Sequence, residues 1–208
     1  NYGDGVYGGV MVAAMTAEAF RARSIGQIVE AGRQAVPDGT SYRAMIEDTI
    51  RWHGANPRSW RKAWRLLERK WNAHHLAAKR DPRHVDHEFN IDAKLNGAYI
   101  LLGLLYGKGR YARSVRISLR AGQDTDCNPA NVGSIIGAWR GFSSLPRRFV
   151  RGLRYGEEIS GTSYTLRRAI AATVAVAREV TVAGGGATGK QWSLPDSPVV
   201  TPLLEQWP

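Results

Sequence analysis

The stretch LNGAYILLGLLYG (95–107) limits the fold more than any other part of the chain. Wound as a helix, it is apolar on every side, and such a helix has to be wrapped by protein rather than laid on a surface. It is shorter than the roughly 18–20 residues that span a bilayer, so it reads as a buried core helix. The rest of the chain must therefore supply the elements that wrap it. Helical spacing of apolar residues recurs throughout, while period-two alternation is scarce, and the fold expected is all-α.

The wrapping helices can be placed. Residues 10–22 are Ala-rich and apolar nearly all round. Residues 25–36 set Ile25, Ile28, Val29 and Val36 at helical spacing before Pro37 and Gly39 stop them, and 42–53 gather Tyr42, Met45, Ile46, Thr49 and Ile50 on one side. A basic, Trp-bearing helix over 58–71 and a polar, His-bearing connection over 72–92 lead to the buried helix. Three more helices are expected, over 111–121, 129–141 and about 162–182. After Val182 the chain turns Gly-rich and then Pro-rich, which cannot continue a helix. The organisation expected is one helical domain over 1–182 and a tail over 183–208. Trp192, Leu194, Leu203, Leu204 and Trp207 in that tail predict that it lies back over the body.

At 208 residues, 43% of them hydrophobic, the chain can bury a sizeable core. Its single Cys cannot form an internal disulfide, and no secretory signal is read at the start, so the expected setting is cytoplasmic. The net charge of +11 favours an anionic partner without specifying one. Its densest patch is RSWRKAWRLLERKW (58–71), with Trp60, Trp64, Leu67 and Trp71 on one helical face and Arg61, Lys62, Arg65, Arg69 and Lys70 mostly on the other. Basic residues interleaved with aromatic ones can bind nucleic acid by stacking. Spacings of three and four equally describe an amphipathic helix with a solvated basic face, and that simpler reading is preferred.

Two loops carry the candidate chemistry. In QDTDCNPANVGSIIGAWRG (123–141), Asn128 and Pro129 read as the cap and first residue of a helix, which delivers Asp124, Asp126 and Cys127 to its N-terminus. Two carboxylates converging there suit a hard divalent cation, or they merely cap the helix, and the residues alone leave both open. Gly133, Gly137 and Gly141 would let another helix approach closely. NYGDGVYGG (1–9) is a Gly-rich loop able to present N–H groups to a phosphate, though a hairpin or a chain end explains it as well. His84 and His87 have the spacing of a metal pair without a third soft ligand, and the adjacent His74 and His75 cannot share a helical face, so ordinary polar roles are favoured for all four.

Together these segments resemble the ADP-ribosylglycohydrolases, all-α hydrolases that include the enzyme reactivating dinitrogenase reductase. AGQDTDCNPANVGSIIGAWRG is similar to the family's C-terminal metal motif, GDGVYGGVMVAAMTAEAF (3–20) to its Gly-Tyr-Gly loop and following helix, and LNGAYILLGLLYGKGRYARSVRISLRAGQDTDC (95–127) keeps its helix order. The resemblance covers most of residues 3–182. It implies that Asp124, Asp126 and Cys127 serve a pair of Mg²⁺ ions, with Mn²⁺ as an alternative. Gly5, Tyr7, Gly8, Asn96 and Gly122 would then contact the ADP-ribose. Cys127 departs from the more usual hydroxyl, since a thiol is a poor Mg²⁺ ligand, and Asp92 stands where relatives often have His.

The reaction implied is cleavage of a ribosyl N- or O-glycosidic bond on an ADP-ribosylated protein or a small ribosyl compound. Relatives complete the metal site with N-terminal helices that are not recognised in this sequence. The expectation is thus the C-terminal piece of a split or cleaved enzyme, partnered by an N-terminal fragment that carries the proton-transfer carboxylate, and inactive alone. A non-catalytic binding member of the same fold and a basic nucleic-acid-binding protein are the alternatives. No membrane partner is expected.

Overall fold

A computed structural model describes residues 3–72 and 92–194. They fall into two compact units, 3–146 and 147–194. In the first unit the helices are α1 (Asp4–Ala19), α2 (Ile25–Ala35), α3 (Ser41–Ala55), α4 (Trp60–Trp71), α5 (Ala93–Gly107), α6 (Tyr111–Ala121) and α7 (Cys127–Arg140), followed by a 3₁₀ turn at Phe142–Ser144. The second holds α8 (Arg147–Val150) and α9 (Leu166–Ala183). Among the described residues there is no strand, only two isolated bridges. No described helix is long and apolar enough to cross a membrane.

The centre of the first unit is α5, where every residue from Leu95 to Gly107 is buried, as its all-round apolar sequence requires. It packs against α1, α2, α3, α4, α6 and α7. Met11 and Met15 of α1, Tyr42, Met45 and Ile46 of α3, and Val132, Ile135 and Ile136 of α7 close around it. Two of the wrapping helices start where a hydroxyl can take an orphan N–H. Ser24 Oγ accepts from Gln27 N (3.2 Å), and Thr40 Oγ1 accepts from Arg43 N (3.1 Å). On α4, Ala63 and Leu67 are fully buried while Trp60, Trp64 and Trp71 are half-buried against the core. The indole N–H groups of Trp64 and Trp71 donate to Ala121 O (2.8 Å) and Asp48 Oδ2 (3.0 Å). These rings belong to the amphipathic packing face.

Several expectations need correction. The first helix does not begin at residue 10 after a Gly-rich loop; it begins at Asp4 and ends at Ala19, so Gly5, Tyr7 and Gly8 are helical. Glycine weakens a helix locally by about 1 kcal/mol per residue, but a close contact requires it here. A Cβ on Gly8 would sit 3.1 Å from the hydroxyl of fully buried Tyr42. The helix expected from Pro129 starts at Cys127, with Asp126 rather than Asn128 as its cap. Pro129 still lies in the first turn, where its missing N–H costs nothing. Of the three spaced glycines only Gly133 makes a close approach, to Tyr111; space is open around Gly137, and Gly141 ends the helix at φ 77°.

In the second unit, α9 begins four residues later than expected, where Thr165 Oγ1 accepts from Arg168 N (3.2 Å). Of the tail residues, Trp192 and Leu194 are exposed, and the Arg178 guanidinium lies 6.0 Å from the Trp192 ring. Leu203, Leu204 and Trp207 lie outside the described residues, as do His74, His75, His84 and His87.

Candidate metal and ligand site

A cleft of about 410 Å³ opens where the N-terminal ends of α1, α5 and α7 meet. Gly5, Gly8 and Gly9 of α1 and Gly97 of α5 form bare backbone walls. Val12, Ala13 and Ile100 give it an apolar side, and Asn96, Asp124, Cys127, Asn128 and Asn131 a polar one. Its rim is tied by an ion pair between Lys94 Nζ and Asp4 Oδ2 (2.9 Å), which joins the first turns of α5 and α1.

The loop carrying the carboxylates is held from within. After α6 the chain turns through Gly122 (φ 101°) and Gln123 (φ 52°), left-handed backbone that a glycine adopts readily and a glutamine must be held in. Gln123 is held because its Oε1 accepts from Asp92 N (3.0 Å), where α5 begins. Asn96 is the central bracket. Its Oδ1 accepts from Asp124 N (3.3 Å) and from the Nδ2 of buried Asn128 (2.6 Å). One α5 side chain therefore sets both the loop and the first turn of α7.

At the mouth, Cys127 N donates to Asp124 Oδ1 (2.9 Å) and to Asp126 Oδ1 (3.0 Å). The carboxylates do cap α7, and the cap bonds to the Cys127 N–H use Oδ1 of each. Ligand atoms of Asp124, Asp126 and Cys127 all lie within 4.8 Å of one another, a spacing that could hold a metal ion. Among the described residues neither carboxylate has an ion-pair partner. The neighbouring Asp126 carboxyl, and then the Cys127 N–H, hold Asp124 below the ordinary carboxylate range, so it is anionic at neutral pH. The Asp124 carboxylate pushes the Cys127 thiol upward, so the sulfur stays protonated and is a poor ligand. The donor set fits a hard cation through its carboxylates and not through its thiol.

Of the residues singled out from sequence, the cleft brings together Gly5, Gly8, Asn96, Asp124 and Cys127, with Asp126 beside them. Two do not line it. Tyr7 is buried next to Tyr42, ring centroids 6.3 Å apart, and Gly122 acts through backbone conformation as the cap of α6. Sequence reasoning missed Gly97, Tyr42, Asn131 and the second role of Asn128. The legible signal was the pair Asn96 and Asn128, two amides placed inside otherwise apolar helical surfaces.

No curated protein and no solved structure matches the chain. Residues 1–180 match the profile of the ADP-ribosylglycohydrolases, whose all-α architecture agrees with the helices described above. On that match the chain belongs to the ADP-ribosylglycohydrolase family.

Proposed function

We propose that this chain carries the C-terminal part of the site of a magnesium-dependent glycohydrolase that cleaves a ribosyl N- or O-glycosidic bond. The observation that supports this reading best is the convergence of Asp124 and Asp126, within 4.8 Å and without a cationic partner among the described residues, on a glycine-walled cleft. Two Mg²⁺ ions, or Mn²⁺ on the same donors, would supply Lewis-acid polarisation and an activated water when bound.

The chain's own residues do the positioning. Asp124 and Asp126 offer the carboxylate oxygens, and Asn96 fixes the loop that presents them. The bare backbone of Gly5 and Gly9, where nothing would meet an added Cβ, leaves room for a diphosphate or ribose. Val12, Ala13 and Ile100 give the cleft an apolar surface.

Mg²⁺ takes six oxygen ligands, more than the cluster offers. The remaining donors, and the carboxylate that moves the proton, are assigned to substrate, water and an N-terminal segment of the kind the family resemblance implies. In this reading the chain alone binds without turning over, acts in the cytoplasm, and serves an ADP-ribosylated protein or a small ribosyl compound.

The test is calorimetry of ADP-ribose binding with and without Mg²⁺. Binding that requires Mg²⁺ and is lost in Asp124→Ala, with the fold intact by circular dichroism, is the expected result. Binding indifferent to both would overturn the reading and leave a family scaffold without a metal site.

A further inference from the structure

A second cleft, also of about 410 Å³, lies at the other end of α5 and is lined by Arg23, Ser24, Ile25, Gly26, His53, Leu105, Lys108, Trp139 and Arg140. Asn96 lines the first cleft and Leu105 this one, which separates them by about 14 Å along α5 at a rise of 1.5 Å per residue. Its walls come from the α1–α2 connection, α2, α3, the end of α5 and the end of α7. Three cationic side chains line it and no acidic one does. Among the described residues, Arg23, Lys108 and Arg140 have no ion-pair partner.

Two of these cations have an ordinary reason to be there. Lys108 caps α5 and Arg140 ends α7, and the carbonyl ends of helices favour positive charge. Arg23 does not. It immediately precedes the cap of α2, where the helix field is itself positive, and it shares the cleft with Lys108 and Arg140. His53 adds a polar atom in want of a partner, since its Nε2 is buried with no hydrogen bond among the described residues, while the ring rests edge-on against Tyr106 with centroids 4.7 Å apart. The rest of the lining is Ser24, Gly26 and apolar surface from Ile25, Leu105 and Trp139, whose ring carries the Arg140 guanidinium 4.0 Å from its centroid and whose N–H is given to Ala22 O (2.8 Å).

We infer that this cleft binds a small molecule bearing one or two phosphate groups, through Arg23, Lys108 and Arg140, at a site separate from the metal cleft. A phosphate would accept charge-assisted hydrogen bonds from these cationic side chains. The apolar residues then accept the remainder of the ligand. This inference does not depend on the hydrolase reading.

The test is calorimetric titration of the full chain with inorganic phosphate and with pyrophosphate, in EDTA and at fixed ionic strength. Pyrophosphate is expected to bind once per chain and more tightly than phosphate. The double variant Arg23→Gln with Lys108→Gly should weaken it at least about tenfold. Glycine suits the left-handed backbone at position 108 (φ 53°), so that change removes charge without strain. Removing equal charge from α4 with Arg61→Gln and Arg65→Gln should leave binding unchanged, as should Asp124→Ala. On the wild-type chain, the His53 imidazole and Trp139 indole signals should shift on saturation. Absence of saturable binding, an equal loss in the α4 variant, or signals that move only elsewhere would each overturn the proposal.

Discussion

The packing of α3 against α5 makes a quantitative prediction through Gly97. A Cβ added there would overlap the Tyr42 hydroxyl outright, lie 2.9 Å from Tyr42 Cζ and 3.4 Å from Met11 Cε. Tyr42 is fully buried in the core, and a Cβ on Gly8 of α1 would also lie 3.1 Å from its hydroxyl, which limits how far the ring can move. Either α5 shifts outward or the ring leaves its rotamer, and overpacking of this kind costs about 1–3 kcal/mol. The gain in helix propensity from Gly to Ala, about 1 kcal/mol, offsets part of this, so Gly97→Ala should destabilise by roughly 1–2 kcal/mol. Gly9→Ala is the matched control, since it is also helical but has nothing within 4 Å of the new Cβ. It should stabilise by about 0.5–1 kcal/mol. Removing the hydroxyl with Tyr42→Phe forfeits only a long hydrogen bond to Ala93 O (3.5 Å) and should take away most of the cost of Gly97→Ala. Urea unfolding followed by tryptophan fluorescence, compared at constant m, measures these variants against the wild-type chain. A Gly97→Ala chain at least as stable as wild type, or a penalty undiminished beside Tyr42→Phe, would refute this account of the α3–α5 contact.

Asn96→Ala should cost about 1–3 kcal/mol, because it strands the Nδ2 of buried Asn128, and it should weaken Mg²⁺-dependent ADP-ribose binding, read by calorimetry on chains shown to be folded. Asp48 is buried and receives Trp71 Nε1 together with Arg51 and Lys70, so Asp48→Ala should lose about 2 kcal/mol in urea unfolding and Asp48→Asn less, since an amide oxygen still accepts from the indole. His53 is held below its ordinary value of 6.5 by burial and then by the charge of Lys108. Its unfolded form therefore takes a proton before its folded form does, so its contribution to stability is lost as pH falls from 6.5 through the folded value. The urea midpoint of the wild-type chain should fall between pH 7.5 and pH 5 by more than that of His53→Gln, and equal slopes would refute the assignment.

The parts of the fold legible in sequence are those that local pattern dictates. A run apolar on every side had to be surrounded, and α5 is buried along its length from Leu95 to Gly107. The start of α1 was illegible because glycine locally opposes a helix, and only at Gly8 does a neighbour crowd the position, the distant Tyr42 hydroxyl, which spacing within 1–9 cannot reveal. The start of α7 failed differently. Asp126 and Asn128 are both good caps and stand two residues apart, and the choice fell to Asp126 because Asn128 is drawn inward by Asn96.

That choice also removes the opposition between capping and metal binding that the residues alone left open. Because the Cys127 N–H donates to Oδ1 of both carboxylates, the cap itself gathers them. At the metal site proposed above, carboxylates already ordered by the cap would lose less conformational freedom on taking a cation. The group that gathers them is a backbone N–H, so the side chain at position 127 is not needed for it, and a cysteine can stand where relatives carry a hydroxyl without undoing the convergence. The indispensable element in this geometry is the pairing of Asp124 and Asp126 across one amide.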